Sequence, residues 1–328
     1  MSEILLSICI PTYNRYFYLK RLLDSILPQL VCVKEKIEVI ISDNASSDET
    51  IHLCDEYARE YSFFRYSQNS KNEGPDYNIH NVFNCATGRY VWVIGDDEIV
   101  IENAIKNIIF LLDKHQPNFI FLNNIGNLNC TINHPSSNPV KYLVTDNSER
   151  FSKLIGVYVT FISGCIINKS ILDINSDHKK LIGSYLVQLS WVLPSLSHRG
   201  VHIFVQTPLI IAQQDNSGGY KYVTVFAINF LDIIRSYYKD GSAMYNSFSL
   251  STLLHLYQFQ YKTAMSNYEY ENSDSLMKKA FSSSYLYKYI LFPFGKIKFV
   301  YFLIRNTIRI RQFYLKLFFR KMKVCIIS

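Results

Sequence analysis

The first 124 residues alternate between two kinds of hydrophobic pattern. Leu5–Ile10 is an apolar run of strand length that ends at Pro11. Leu19, Leu22, Leu23, Ile26, Leu27 and Leu30 then fall at i, i+3, i+4, i+7, i+8 and i+11, one face of a helix. Ile37–Ser42 predicts a second strand, and Ser46 with Glu49 forms a possible capping box for a helix over roughly 49–60. Phe63–Ser67 predicts a third strand. The turn Asn72-Glu73-Gly74-Pro75 leads into a helix over roughly 76–86, and Tyr90–Ile94 makes a fourth strand. A helix over about 102–114 and a strand over Asn118–Asn123 complete the series. Such alternation predicts an α/β fold, a mostly parallel sheet with helices on both faces.

Beyond this point the pattern loosens. Residues 125–160 are rich in Asn, Ser and Thr and read as a long loop or insertion. Phe161–Asn168 returns to strand, Leu181–Leu196 reads as a helix, and Val201–Val205 and Leu209–Ile211 as short strands. Gln213 to Gly219 is a polar, glycine-rich loop, and from about residue 222 onward the pattern is helical.

The fourth strand ends in Gly95-Asp96-Asp97-Glu98. A strand that closes on Asp-Asp is also the pattern of a turn or a helix cap. In parallel α/β sheets, however, ligands sit at the carboxyl ends of the strands. Adjacent carboxylates repel unless a cation or a donor-rich ligand joins them. Hard divalent ions take oxygen ligands and bridge one or two carboxylates to substrate phosphates, so the run suggests a metal–diphosphate site.

Three other segments end on the same edge of the predicted sheet or lead into it. They are Pro11-Thr12-Tyr13-Asn14-Arg15, Asp43-Asn44-Ala45-Ser46-Ser47-Asp48, and Asn72-Glu73-Gly74 ahead of the helix that ends at Ala86-Thr87-Gly88. Each also has a plainer reading: Asp43 as a turn cap, Asn14 and Arg15 as helix-entry and surface residues, and Asn72 and Gly74 as turn chemistry.

Composition narrows the class. Apolar residues make up 48% and charged residues 19% of the 328, which is globular rather than disordered. Seven cysteines at 9, 32, 54, 85, 130, 165 and 325 show no CxxC or Cys/His pairing, which predicts reduced thiols in a cytosolic setting. Met1-Ser2-Glu3 lacks the basic start of a signal peptide, and the apolar stretch after it is short. The net charge of +7 hides an asymmetry: Ser275 to Ser328 holds 12 Lys/Arg and no Asp/Glu, against 22 basic and 27 acidic residues before it. On a helical wheel Lys298, Arg305, Arg309, Lys316, Arg320 and Lys323 fall within a sector of about 60°. Val300, Ile304, Ile308, Leu315, Phe318 and Met322 lie roughly opposite. Charges interrupt every window long enough to span a bilayer. A basic amphipathic helix suits an anionic membrane surface, although pairing with the acidic body is an alternative. No nucleic-acid module is present, so a nucleic-acid partner is not expected.

The four segments, in this order, resemble the family-2 glycosyltransferases of the GT-A fold, and most closely the abequosyltransferase-like branch that builds O-antigen and capsule. The resemblance is strong over about residues 4–124, weaker to about 220, and absent beyond. It implies a nucleotide-sugar-binding half over 1–124, an acceptor half over 125–220, and a helical region over 221–328 whose membrane-associating tail begins near 284. It also implies a donor-binding set of Pro11, Thr12, Tyr13, Asn14, Arg15, Asp43, Asn72, Gly74 and Asp96. Thr12 and Tyr13 would line the base pocket and Asp43 would accept a hydrogen bond from the base. Asp96 would face the ribose or the metal shell, and Asp97 would ligate Mn²⁺ or Mg²⁺ bridging the donor diphosphate. A uridine donor is favoured. The implied acceptor is a polyprenyl-diphosphate-linked oligosaccharide, with the enzyme peripheral on the cytoplasmic leaflet of the membrane.

The chain departs from the family in two places. Its metal motif is Gly-Asp-Asp where many members carry Asp-x-Asp, although Glu98 is adjacent. The Glu-Asp pair that supplies a general base in many inverting members is missing from the corresponding stretch, Ile182 to Gln188. The expected base is therefore Asp215, with Asp177 and His178 behind it. The missing pair also leaves open a non-catalytic scaffold that binds glycan or nucleotide sugar.

Overall fold

The computed structural model describes residues 3–126, 139–173, 176–213, 221–264, 272–295, 301–306 and 323–327. Its elements begin with β1 (Leu6–Thr12), α1 (Tyr16–Leu30), β2 (Ile37–Asp43), α2 (Thr50–Glu60), β3 (Phe64–Gln68), α3 (Pro75–Cys85) and β4 (Tyr90–Val93). Next come β5 (Ile99–Val100), α4 (Ala104–His115), β6 (Phe119–Gly126), β7 (Val140–Thr145), α5 (Ser148–Ile155), β8 (Cys165–Asn168), α6 (Leu189–Ser197) and β9 (His202–Ala212). The series ends with α7 (Phe230–Tyr237), α8 (Ala243–Ala264), α9 (Ser273–Phe281), α10 (Phe292–Phe294) and β10 (Lys323–Ile327). Two compact units result: residues 1–148, 159–216 and 324–328 form one, and 149–158 with 217–323 the other.

A single sheet organises the first unit, in the order β10-β7-β9-β6-β8-β4-β1-β2-β3, with β5 paired to β9 off that path. Strands β3, β2, β1 and β4 are parallel. β8 runs antiparallel to both β4 and β6, and β9 is parallel to β6. The direction of β4 is therefore recovered in β6 and β9, so six strands deliver their carboxyl ends to one edge. β2 is buried along its whole length, as expected of an inner parallel strand covered on both faces. The predicted leucine/isoleucine stripe is the buried face of α1. Each of those side chains contributes roughly 1.5–3 kcal/mol relative to exposure.

The structure differs from the sequence pattern at several elements. The polar stretch 125–160 is not one long loop: it carries β7 and α5. Val140 and Tyr142 face inward while Lys141 is exposed, an alternation that surrounding Asn and Ser residues mask. The helix expected over Leu181–Leu196 is confined to α6, because Gly183 (φ 93°) and Tyr185 (φ 61°) take left-handed backbone that no helix continues through. The two short strands after 200 are one strand, β9, with a register shift between Leu122 and Asn124 of its partner β6. The capping box does not form: Thr50 N–H donates to the Asp48 carboxylate (3.1 Å), and Ser46 is engaged elsewhere.

The second unit is helical. Phe230, Leu231, Ile233 and Ile234 of α7 are buried, as are Phe248, Leu253 and Leu256 of α8. The Tyr257 hydroxyl donates to the Gly295 carbonyl (2.6 Å). Most of the basic helix expected over 298–323 lies outside the described residues. Arg305 falls in a helical stretch, whereas Lys323 opens β10, so at that end the helical reading is corrected to an edge strand beside β7. Among the described residues no helix is long and apolar enough to cross a membrane.

Candidate active site

Parallel pairing sets Thr12 at the end of β1 opposite Asp43 at the end of β2, and it brings the end of β4 to the same edge. Around the Gly95-Asp96-Asp97 turn the contacts are dense. The Thr12 hydroxyl donates to Asp96 Oδ2 (2.7 Å). Arg15 Nη1 donates to Asp96 Oδ1 (2.8 Å) and to Asp97 Oδ2 (3.2 Å). Arg21, one helical turn and more along α1, donates to the Asp97 carbonyl (2.9 Å) and reaches the Gln213 side-chain oxygen (3.4 Å). The Tyr18 ring lies near both guanidinium groups, at 5.5 Å from Arg15 and 5.4 Å from Arg21. Beneath the turn, the Ser163 hydroxyl accepts from Gly95 N–H (3.0 Å) and donates to Glu98 Oε1 (3.1 Å), while the Trp92 indole donates to the Ser163 carbonyl (2.7 Å).

Asp96 and Glu98 are held against their solution preference. Burial raises Asp96 to about 6, with Arg15 and Thr12 pulling the other way and Asp97 adding repulsion. Burial raises Glu98 to about 8, reinforced by the Asp97 charge and opposed by Ser163 and the Gln213 backbone. Glu98 Oε2 is buried with no hydrogen-bond partner among the described residues. Burial pulls the Arg15 guanidinium down, and the two aspartates outweigh it, so its net shift is upward.

The Asp43 side is built differently. Its carboxylate is buried and accepts from Ser46 N–H (3.1 and 3.3 Å), the Ser46 hydroxyl and Gln68 Nε2 (2.8 Å). Asn14 stands in left-handed backbone (φ 51°), donates its N–H to Ser46 Oγ (2.7 Å) and accepts from Ser47 N–H (2.8 Å), which ties the β1 and β2 loops together. Asn44 Nδ2 donates to Asn72 Oδ1 (2.8 Å) and the Gly74 carbonyl (3.2 Å), and Asn44 Oδ1 accepts from Glu73 N–H (3.0 Å). Gly74 takes φ 87°, and Pro75 opens α3. Pro11 lies within β1 opposite Ser42, and Tyr13 is half-exposed on the rim. The edge therefore gathers Pro11, Thr12, Tyr13, Asn14, Arg15, Asp43, Asn72, Gly74, Asp96 and Asp97.

The expected bases fare otherwise. Asp177 is not at this edge: it caps a short helix by accepting from Lys179 N–H (2.9 Å), and the adjacent His178 packs edge-on against Phe83 and Trp191, near the far end of α3. Burial lowers the pKa of His178 and of His80. Asp215 lies outside the described residues. The Ala86-Thr87-Gly88 segment also belongs to the opposite edge, where Thr87 N–H (2.6 Å) and Gly88 N–H (3.2 Å) donate to Glu38. A Cβ on Gly88 would stand 2.8 Å from the Ser7 backbone nitrogen, which explains the glycine.

Four residues at the edge carry no sequence signal of their own: Arg21, Ser163, Gln213 and Asp76. Asp76, buried at the start of α3, accepts from Gly183 N–H (2.8 Å), Tyr185 N–H (2.7 Å) and Val187 N–H (3.4 Å). One carboxylate thus shapes the loop from Ile182 to Gln188, the stretch that lacks the Glu-Asp pair.

Among the described residues no three of His, Cys, Asp and Glu converge as a closed metal cage. Asp97 and Asp96 offer hard carboxylate oxygens here, both of them bonded to Arg15. Such oxygens suit Mg²⁺ or Mn²⁺ shared with a diphosphate.

A family model for glycosyl transferase family 2 matches residues 7–173. The chain belongs to this family. Over 268 residues it is 28% identical to an abequosyltransferase of Salmonella typhimurium, covering 74% of this chain and 78% of that one. A GalNAc(5)-diNAcBac-PP-undecaprenol beta-1,3-glucosyltransferase of Campylobacter jejuni is 30% identical over 106 residues, about a third of each chain. Among solved structures, Staphylococcus aureus TarS 1-349 in complex with UDP-GlcNAc superposes with a TM-score of 0.52 at 16% identity, over 79% of this chain and 72% of that one. A mannosyltransferase of Pyrobaculum calidifontis in complex with GDP-Man and Mn²⁺ superposes with a TM-score of 0.50 at 13% identity, over 96% and 86%. At such identities the structural likeness shows the fold, and the fold of this family-2 chain is GT-A.

Proposed function

We propose that this chain transfers a sugar from a nucleoside-diphosphate donor to a hydroxyl of a polyprenyl-diphosphate-linked oligosaccharide in bacterial surface-polysaccharide assembly. The observation that carries the reading is the Asp96–Asp97 turn, fixed by Thr12 and Arg15 beside Asp43 at the carboxyl ends of β1, β2 and β4. In this reading Asp43 and the Thr12–Tyr13 segment take the nucleoside, with uridine favoured, and Asn14, Asn72 and Gly74 hold the loops that frame it. Asp97 and Asp96 would hold Mn²⁺ or Mg²⁺. When bound, the ion neutralises charge that develops on the departing diphosphate.

The chain's own groups supply the rest. Arg15 compensates the paired aspartates and keeps both side chains aimed at the edge. Arg21 and Glu98 fix Gln213 beside the Asp97 turn. Asp215 follows Gln213 by two positions and is the base we propose, since a base must reach the acceptor hydroxyl directly or through one water. It takes the hydroxyl proton as the acceptor oxygen bonds to the anomeric carbon, and the electron pair of the broken bond leaves on the diphosphate. Asp177, which caps a separate short helix, has no part in this. The loop shaped by Asp76 forms the acceptor side, and residues 1–220 carry both halves of the reaction. Residues 221–328 place the enzyme on the cytoplasmic leaflet, where a lipid-linked acceptor is presented.

The test is transfer from labelled nucleotide sugars to lipid-linked acceptors by the purified chain and by its Asp215→Asn and Asp97→Ala variants. Turnover that survives both substitutions contradicts the proposal. Donor binding without turnover under any acceptor favours a scaffold that binds nucleotide sugar, the second reading that the absent Glu-Asp pair supports.

A further inference from the structure

The segment from Ser284 to Gly295 buries only a thin stripe. Tyr287, Leu291 and Gly295, at i, i+4 and i+8, face inward. A surface helix of a soluble unit ordinarily turns polar residues outward. Here the outward positions include Tyr285 (81% exposed), Tyr289, Phe292 (58%) and Phe294, and the nearby helical stretch adds Phe302 and Leu303. Exposed apolar rings in such density mark an interaction surface. Cations are interleaved with them. Lys288 Nζ stands 5.1 Å from the Tyr289 ring centre, and Lys278 Nζ 5.8 Å from that of Phe292. Tyr285 and Tyr289 stack at 6.1 Å. No acidic residue follows Asp274.

We infer that this aromatic ridge is a docking surface for an anionic lipid bilayer. It deepens the membrane placement proposed above and rests on it, naming the residues that make the contact. Tyrosine and phenylalanine rings settle at the headgroup–acyl boundary, while lysine stems lie along the apolar layer with their ammonium groups at the phosphates. The charge pattern chooses the occupant. A second copy of this face would set like charges against each other, whereas an anionic leaflet complements them.

The test is sedimentation of the full chain with vesicles of phosphatidylethanolamine and phosphatidylglycerol, against phosphatidylcholine alone. Wild type pellets with the anionic vesicles. The triple variant Tyr285→Ser, Tyr289→Ser, Phe292→Ser binds them roughly tenfold or more weakly, with an unchanged melting temperature because these side chains are exposed. Lys278→Glu with Lys288→Glu weakens binding chiefly at low salt. Nucleotide affinity is read in parallel and stays the same in every variant, so a failed donor site and a failed membrane surface give separate signatures. Wild-type chain that ignores anionic vesicles overturns the inference. So does a triple variant that binds them like wild type, or one whose only change is the loss of a dimer.

Discussion

Buried carboxylates stand at opposite edges of the same sheet, a single one at the amino edge and a cluster at the carboxyl edge, and they are put to opposite ends. At the amino edge, Glu38 accepts from the Ser7 hydroxyl, from Thr87 N–H and Oγ1, from Gly88 N–H and from Arg65. Burial works against that charge, and the donors around it outweigh burial and hold its pKa below the ordinary carboxylate value. At the carboxyl edge burial wins at two neighbouring carboxylates: Asp96 rises to about 6 and Glu98 to about 8. A fully compensated carboxylate is a structural anchor. An under-compensated cluster is where a cation or a ligand gains most by arriving.

The contrast can be broken at either end. Asp97→Ala lowers transfer roughly 10²–10³-fold while leaving thermal stability close to wild type, checked by initial rates beside a melting curve. Glu38→Ala does the reverse. It leaves donor affinity unchanged and costs about 3 kcal/mol in denaturant unfolding, because Arg65 and several amide and hydroxyl donors lose their acceptor. If Glu38→Ala abolished donor binding in a chain that still folded, the division between the edges would be wrong.

Arg15→Ala sharpens the comparison at the active edge. Removing a guanidinium that touches both aspartates lowers stability by roughly 1–3 kcal/mol in metal-free buffer. Added Mn²⁺ recovers part of that loss, which a thermal shift with and without metal measures.

The smallest expected effect is a pH slope. Glu98 faces Asp97, Asp96, Ser163 and the Gln213 backbone, and its folded pKa lies above its usual value of 4.5. The folded chain therefore holds a proton that the unfolded chain has released, and the stability this gives is lost as pH rises toward 8. Between about pH 4 and 6.5 the buried His202, lowered to about 4, works in the opposite direction. The clean window is pH 6.5 to 8, where the loss reaches at most about 1.4 kcal/mol per pH unit. Glu98→Gln flattens it, and an unchanged slope in that variant would assign the titration elsewhere.

Much of the fold was legible because its signals are local. The Leu19–Leu30 stripe needs only helical periodicity, and runs such as Ile37–Ser42 need only strand length and punctuation. The edge residues were legible because several short segments in a fixed order carry more information than any one. What the sequence hid depends on partners far along the chain. Asp76 is only the first residue of a predicted helix until the amides of Gly183, Tyr185 and Val187 are seen to converge on it. Ser163 meets Glu98 across 65 positions. The apolar content of Leu181–Leu196 read as helix, and only the left-handed backbone at Gly183 and Tyr185 ends it. Lys323 fitted a helical wheel, and sheet-edge pairing overrode that periodicity.

The most direct measurement of the central claim is calorimetric titration of the purified chain with UDP, CDP, GDP and dTDP, with and without Mn²⁺, alongside Asp97→Ala. The account predicts that one nucleotide binds well, that UDP is the favoured one, and that binding needs both the ion and Asp97. No binding by any of the four to folded protein with metal present, or binding that Asp97→Ala leaves intact, would contradict it.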